Sequence, residues 1–334
     1  MSRSSAKGKE VMKDKREGER GAGDSSDSYS DTDALDSRLE NFPYIEAFGH
    51  KYHSSGKIFL AFDESERERC EVQHKLYRHS LDGALTSTRL PLDTTRILDL
   101  GTGTGTWAIE MAARYPQAQI TGVDVYPIQR RKGVPPNVKF EIDDVENPWS
   151  AADDSLDFVH ARSIAGGVRD WPALLRQACT KLKPGGLFEM TEISIHVCDF
   201  DGKFAEAELC PEFLQLFRDM SERVGVDFSP SPRVPEWLVD ANFEKIVQRS
   251  EILPVGSWAQ DEKMRTRQKL MNSILNKDYV LENHCSLLFQ TCGWTKEQFD
   301  ALVPSFWQEI QAAQVRPYVT AVFTTARKPR EEPS

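Results

Sequence analysis

Arg96-Ile-Leu-Asp-Leu-Gly-Thr-Gly-Thr-Gly-Thr-Trp107 decides how the rest of the chain is read. A short apolar run of strand type carries Asp99 near its end. Gly101, Gly103 and Gly105 then lead into helical periodicity from Thr106 to Arg114. Glycine reaches backbone angles closed to other residues and lets a ligand approach the main chain. At the carboxyl end of a first strand, such a loop lies where open α/β sheets bind ligands. The spacing is selective. A dinucleotide fingerprint needs Gly-x-Gly-x-x-Gly, but Thr106 stands at its sixth position, and a P-loop needs Gly-Lys-Ser/Thr, which is absent. A nicotinamide-dependent oxidoreductase is therefore disfavoured.

Working outward, further strands are predicted over Gln119–Val123, Val138–Ile142, Leu156–His160 and Leu187–Ile193, with a helix over Pro172–Leu182. After Asp199 the pattern turns helical: Glu208–Val224, Val234–Ala241, Gln260–Leu275 and Lys296–Ala313, with strands at Phe243–Leu253 and Val319–Thr325. Strands alternating with helices imply a mostly parallel sheet covered on both faces. The expected fold is α/β, a doubly wound, seven-stranded, mostly parallel, Rossmann-like sheet with an N-terminal helical lid and a helical insertion. The second strand ends in Gly122-Val-Asp124-Val125 and the third in Ile142-Asp-Asp144-Val145. An acid at the first position suits two ribose hydroxyls. At the second, a carboxylate beside the Val145 N–H suits an adenine edge, with Asp143 competing with Asp144. Any one of these acids alone reads as a cap or turn residue; with Asp99 they form an ordered set at three consecutive strand ends.

The expected organisation is a disordered tail at 1–40, a lid and helix at 41–95, and a cofactor-binding domain at 96–329. That domain carries a helical insertion on the substrate side at 199–242, and a short tail follows at 330–334. The first tail is basic from Lys7 to Arg20 and acidic from Asp24 to Asp36. It reads either as a solvated tail or as a nuclear address or protein-docking arm. The net charge of −10 opposes a general affinity for nucleic acid. No apolar run approaches the ~20 residues of a membrane helix, and no secretory signal is read. The expected location is cytoplasmic, with the nucleus as an alternative. Six cysteines are scattered without metal-ligand spacing, so no metal site is expected.

The chain resembles the class I S-adenosylmethionine-dependent methyltransferases, through the segments above and the Lys181-Leu-Lys-Pro-Gly-Gly186 turn. More narrowly, it is similar to the fungal LaeA-like methyltransferase family. His50-Lys-Tyr-His53, the Asp63–His74 helix start, Asn147-Pro-Trp149, Asp157–Arg162 and Ala326-Arg-Lys-Pro329 carry that likeness. It departs at Thr102, where many members have an apolar residue or Cys. The resemblance implies S-adenosylmethionine as cofactor. Asp99, Gly101, Thr102, Gly103 and Gly105 would then hold the methionine part, Asp124 and Val125 the ribose, and Asp143 or Asp144 with Val145 the adenine. Tyr52 and His53 would belong to a lid; Tyr52 reads equally as a hydrophobic staple for the first helix.

His160 and Arg162 follow the fourth strand, on the rim that would face a transferred methyl group, and Glu192 lies in the fifth. His160 reads either as a general base or as a structural histidine. Arg162 reads as a contact to an acidic acceptor or as an ion-pair partner. The function expected is methylation of a small-molecule acceptor in fungal secondary metabolism. The alternative is a LaeA-like nuclear regulator of secondary-metabolite genes, with a regulatory protein partner bound through the tail. Deleting residues 1–40 is expected to leave cofactor affinity and thermal stability unchanged. Those residues have little apolar area to offset an ordering entropy of about 1–2 kcal/mol per residue. Deletion through Ser55 is expected to weaken cofactor binding; calorimetry and thermal melts on both truncations check this.

Overall fold

The computed structural model describes residues 42–130, 132–203, 210–275, 283–311 and 315–330. The tail at 1–40, the start of the insertion helix at Glu208, the helix end at 312–313 and residues 331–334 lie outside the described residues.

Two strands, β1 (Tyr44–Ala47) and β2 (His50–His53), form an antiparallel hairpin. Helix α1 (Glu64–Ser80) follows, its first turn closed by Asp63, which accepts the Glu66 N–H at 3.2 Å. The main sheet then begins with β3 (Arg96–Leu100), α2 (Thr106–Arg114), β4 (Gln119–Asp124), β5 (Val138–Ile142) and β6 (Leu156–Arg162). Helix α3 (Trp171–Lys181), β7 (Leu182–Ile193) and the two-residue β8 (Cys198–Asp199) come next. The chain continues through α4 (Cys210–Val224), α5 (Val234–Asp240) and β9 (Glu244–Pro254). Three helices, α6 (Glu262–Leu275), α7 (Ser286–Thr291) and α8 (Lys296–Gln311), precede β10 (Pro317–Arg327).

The sheet order is β5-β4-β3-β6-β7-β10, with β9 on the far side of β10 and β8 beside its first residues. The expected seven strands are these, and β8 is a small addition. Strands β3 to β7 pair in parallel, while β10 runs antiparallel to β7 and β9. The order reverses at β3, between β4 and β6. That opens a crevice above the carboxyl ends of β3 and β6, the topological switch point where such sheets take ligands. Lys181 ends α3, Leu182–Gly186 is drawn into the start of β7, and Lys328 N–H donates to Gly186 O at 2.9 Å.

Both faces of the sheet are buried with a period of two. Ile97 and Phe158 pack with Trp107, Met111 and Leu90 under α2. Leu98, Leu100, Val159 and Ala161 pack on the other side against Trp171, Leu174 and Leu238 of α3 and α5. A third and larger apolar cluster joins the hairpin, α1, α4 and α6–α8 to β9 and β10.

This third cluster changes two expectations. The N-terminal segment is a hairpin and an extended run into α1, not a helical lid. The helices between β9 and β10 join the same apolar cap as α4, so the helical part outside the sheet extends well beyond 199–242. Ala47 and Tyr52 are 1% and 0% exposed within it. The truncation through Ser55 removes a strand pair packed in a core, and its melting temperature is expected to fall along with its cofactor affinity.

Candidate active site

The glycine loop is fixed to the sheet by Asp99. Thr102 Oγ1 donates to Asp99 Oδ2 at 2.7 Å, and His160 Nδ1 lies 2.7 Å from Asp99 Oδ1. The carboxylate only accepts, so this histidine nitrogen carries the proton. The other face of the His160 ring stacks on Trp107, with centroids 3.8 Å apart and planes at 5°. Two glycines are required by close approach: a Cβ on Gly101 would lie 2.2 Å from Ile164 Cγ2, and one on Gly105 would lie 2.3 Å from Phe140 Cζ. Both have positive φ, 64° and 79°. Gly103 N–H donates to Asp124 Oδ2 at 2.7 Å, and Tyr126 N–H donates to Asp124 Oδ1 at 3.0 Å.

Above this loop is a first chamber. Its floor is Gly101–Thr104 with Asp124 and Val125; Asp144 and Val145 form one side. Arg162, Ser163 and Ile164 form another, and the roof is Ile58, Leu60 and Ala61 with the α1 residues Glu66, Arg69, Gln73 and His74. A second chamber adjoins it, lined by Glu192, Ile193–Ile195, aromatic residues of α4 and α8, and His284. Leu60, Arg69, Gln73 and Ser163 line both chambers, so the two meet at a shared wall.

The predicted site residues separate into three groups. Gly101, Thr102, Gly103, Asp124, Val125, Asp144, Val145 and Arg162 line the first chamber. Glu192 lines the second. Asp99, Gly105, His160, Asp143 and Tyr52 line neither. Asp99 is 3% exposed with both oxygens engaged by Thr102 and His160, and Gly105 is the loop's turn into α2. Asp143 Oδ1 accepts from Asp144 N–H and Asn147 Nδ2. His160 is 1% exposed and turned toward α2. Tyr52 donates to Asn283 O at 2.7 Å, inside the cap core.

Sequence reasoning missed the α1 contribution. Glu66, Arg69 and Gln73 recur at three- and four-residue spacing on one face of that helix, and all are buried. A buried stripe is ordinarily apolar, so the polar spacing itself was the available signal. Glu66 and Arg69 form a buried ion pair, with Arg69 Nε 2.7 Å from Glu66 Oε2. Burial works against the Glu66 charge, but Arg69 and His284 hold its carboxyl well below the usual range. Arg69 Nη1 remains buried without a hydrogen-bond partner. Burial pushes the Asp124 carboxyl up to about 6, against the pull of its two backbone N–H donors. Arg162 lies over the Tyr77 ring at 5.2 Å, and Tyr77 Oη is 2.6 Å from Ser163 Oγ.

A doubly wound sheet with a glycine loop and a buried acid at the next strand end defines the class I methyltransferase architecture. The chain belongs to the methyltransferase-domain family, whose model matches residues 60–248, and S-adenosylmethionine is the methyl donor that this membership implies. Methyltransferase pytC of Aspergillus terreus is 31% identical over 308 residues, covering 91% of this chain and 94% of that protein. The secondary metabolism regulator laeA of Monascus pilosus is 31% identical over 302 residues, covering 88% and 81%. The protein-methionine methyltransferase laeA of Emericella nidulans is 31% identical over 301 residues, covering 87% and 78%. Among the described residues no helix is long and apolar enough to cross a membrane, and no cluster of His, Cys, Asp or Glu has the geometry of a metal site.

His160→Ala leaves Asp99 Oδ1 without its donor and removes the ring stacked on Trp107. The unfolding free energy is expected to fall by about 2–4 kcal/mol, measured by urea denaturation. An unchanged midpoint would show that the stack contributes nothing to stability.

Proposed function

We propose that this methyltransferase methylates a small molecule of secondary metabolism held in the second chamber. The observation that carries the reading is the wall shared by the two chambers, which brings an acceptor bound in one to the edge of the other. The first chamber fits S-adenosylmethionine on its own chemistry. The donor's carboxylate has a buried guanidinium nitrogen without a partner, Arg69 Nη1. Its ammonium and sulfonium charges meet a region where Glu66 and Asp99 already raise the proton affinity of Asp124. Its ribose hydroxyls have the Asp124 carboxylate, which accepts only from backbone N–H groups. Its adenine edge has Asp144 and the Val145 backbone, and Gly101–Gly103 leave room for the methionine part. When bound, the sulfonium supplies a strongly electrophilic methyl group. The protein's task is to align the acceptor and exclude water.

In this reading Arg162 shapes the first chamber through Tyr77 and His74, and His160 is structural. Asp143 orients the Asp144 turn. Tyr52 ties the hairpin to residue 283 and supports the roof at one remove. The likeness to laeA regulators favours a second reading, a nuclear regulator with a protein partner docked through the charged tail. The two separate by incubating the chain with an extract of its source organism and isotopically labelled S-adenosylmethionine. Label in low-mass, organic-soluble products supports the first reading. Label confined to protein supports the second.

S-Adenosylhomocysteine is expected to bind and NAD not to, by calorimetry. Asp124→Ala should weaken S-adenosylhomocysteine by about 1.5–3 kcal/mol, the loss of hydrogen bonds to a charged group. The affinity should also depend on pH. Without ligand, the raised pKa favours protonated Asp124, so its stabilising contribution is full below about 3.8 and is lost as pH rises through about 6. Ribose hydroxyls donate to the ionised form, so binding should strengthen over that window and level off above it. Asp124→Asn should flatten the profile; the same slope in that variant would reassign the titration.

A further inference from the structure

The second chamber is walled mostly by apolar side chains, with the rings of Phe213, Phe217, Phe228, Phe306 and Trp307 set among aliphatic residues. Glu192 faces into it at 4% exposure. Its Oε1 accepts the Ile164 N–H at 2.8 Å. Ile164 lines the first chamber, and its neighbour Ser163 lines both. The carboxyl therefore stands at the seam, where reacting atoms must meet. Among the described residues no Lys, Arg or His forms an ion pair with it. The carboxyl accepts the buried N–H groups of Ile164 and Ala165, a task that an uncharged amide would also perform. An acid without a cationic partner in an apolar wall is unfavourable, so that task alone does not account for Glu192.

We infer that the acceptor is a neutral aromatic hydroxyl compound whose ring packs in the second chamber and whose hydroxyl proton is taken by Glu192. This rests on the methyl-transfer reading above. The chemistry favours that class over its neighbours. A carboxylic acid would place a second negative charge against Glu192. An aliphatic ammonium would be held as an ion pair with its lone pair occupied by a proton. A phenol is positioned by the same contact and made nucleophilic by it. In the transfer, the phenolic oxygen forms the bond to the methyl carbon while the carbon–sulfur bond breaks and leaves its electron pair on sulfur. The hydroxyl proton passes to the Glu192 carboxylate and from there to water.

The groups around the carboxyl are consistent with that task. Burial pushes it up to about 8, against the N–H groups of Ile164 and Ala165, and Asp227 adds to the rise. Tyr77 on α1 feels its charge. Arg69 is on the same helix, but Glu66 engages its Nε and Nη2. His284, across the chamber, is also drawn to Glu66. An acid poised near neutral pH accepts a phenolic proton without being permanently charged in an apolar wall.

The full chain is titrated with S-adenosylhomocysteine by calorimetry. The saturated protein is then titrated with 1-naphthol and with its methyl ether, 1-methoxynaphthalene, by fluorescence. The parent is expected to bind the naphthol at least about tenfold more tightly at pH 8–9, the scale of a hydrogen bond to a charged group. Glu192→Gln keeps an acceptor for Ile164. It should bring the ratio within about threefold while leaving the S-adenosylhomocysteine affinity unchanged. With S-adenosylmethionine added, naphthol methylation by the parent should rise with pH through about 8. Equal binding of the two naphthalenes by the parent, binding of neither, or a ratio unmoved in Glu192→Gln overturns the assignment and leaves methyl transfer standing. Should the variant fold poorly, the parent's ratio decides. No binding of S-adenosylhomocysteine overturns the methyl-transfer reading, and this inference with it.

Discussion

Everything in the first chamber depends on one buried carboxylate that never reaches it. Asp99 holds Thr102 with one oxygen and His160 with the other, so the glycine loop is tied at once to its own strand and to the neighbouring strand β6. Without that tie, a loop with three positive-φ glycines has little to select a single conformation. With it, the Gly103 N–H is aimed at Asp124, and that bond locks the loop to the next strand, β4. Three parallel strands are thus stitched at their carboxyl ends by side chains. The Trp107 ring on His160 closes the arrangement from the helix that the loop initiates.

The cap is attached by a different device. Helix α1 presents polar rather than apolar residues where it crosses the crevice, and these are satisfied mostly by each other. Glu66 bonds Arg69 and meets His284 and Asn283. Glu71 accepts from Thr104 and Thr106 at the start of α2 and from Arg130 beyond β4. Buried charge of this kind adds little net stability, but it fixes the helix in register over the loop. Farther from the crevice, apolar packing of Leu76 and Tyr77 with the cap cluster takes over. The first chamber thus sits between two differently made halves: a sheet with carboxyl-end hydrogen bonds and a cap with an apolar interior.

The sheet was legible because both of its faces are buried, and short β-type runs separated by glycine loops allow few other folds. The floor of the first chamber was legible for the same reason: Asp124, Asp144 and the glycines sit at strand ends that the alternation locates. What lay beyond local sequence was the direction of each side chain. His160 and Arg162 are two residues apart and share a face of β6, but His160 is covered by Trp107, while Arg162, at the strand's last position, reaches the chamber wall. Asp99 and Gly105 belong to the loop's internal construction, which a motif cannot distinguish from ligand contact. Tyr52 pairs with residue 283, a contact 231 residues distant in sequence that no window contains. The second chamber was the least legible part, because β7, the α4 segment and the α6–α8 segment each contribute only a part of its wall.

That separation bears on how the molecule comes into being. Tyr52 and Ser65 are both held by Asn283, so the roof over the first chamber waits for a residue made late in synthesis. The strands β3 to β7 and their helices can dock as they leave the ribosome, since their contacts are between near neighbours. The hairpin and α1, made first, must remain unfinished until the last third of the chain arrives. For that interval the polar stripe of α1 is an advantage: a helix whose inner face is Glu66, Arg69 and Gln73 tolerates water, where an apolar one would seek a partner and aggregate. The residues that build the chamber also keep its earliest-made wall soluble until its partner segment has been translated.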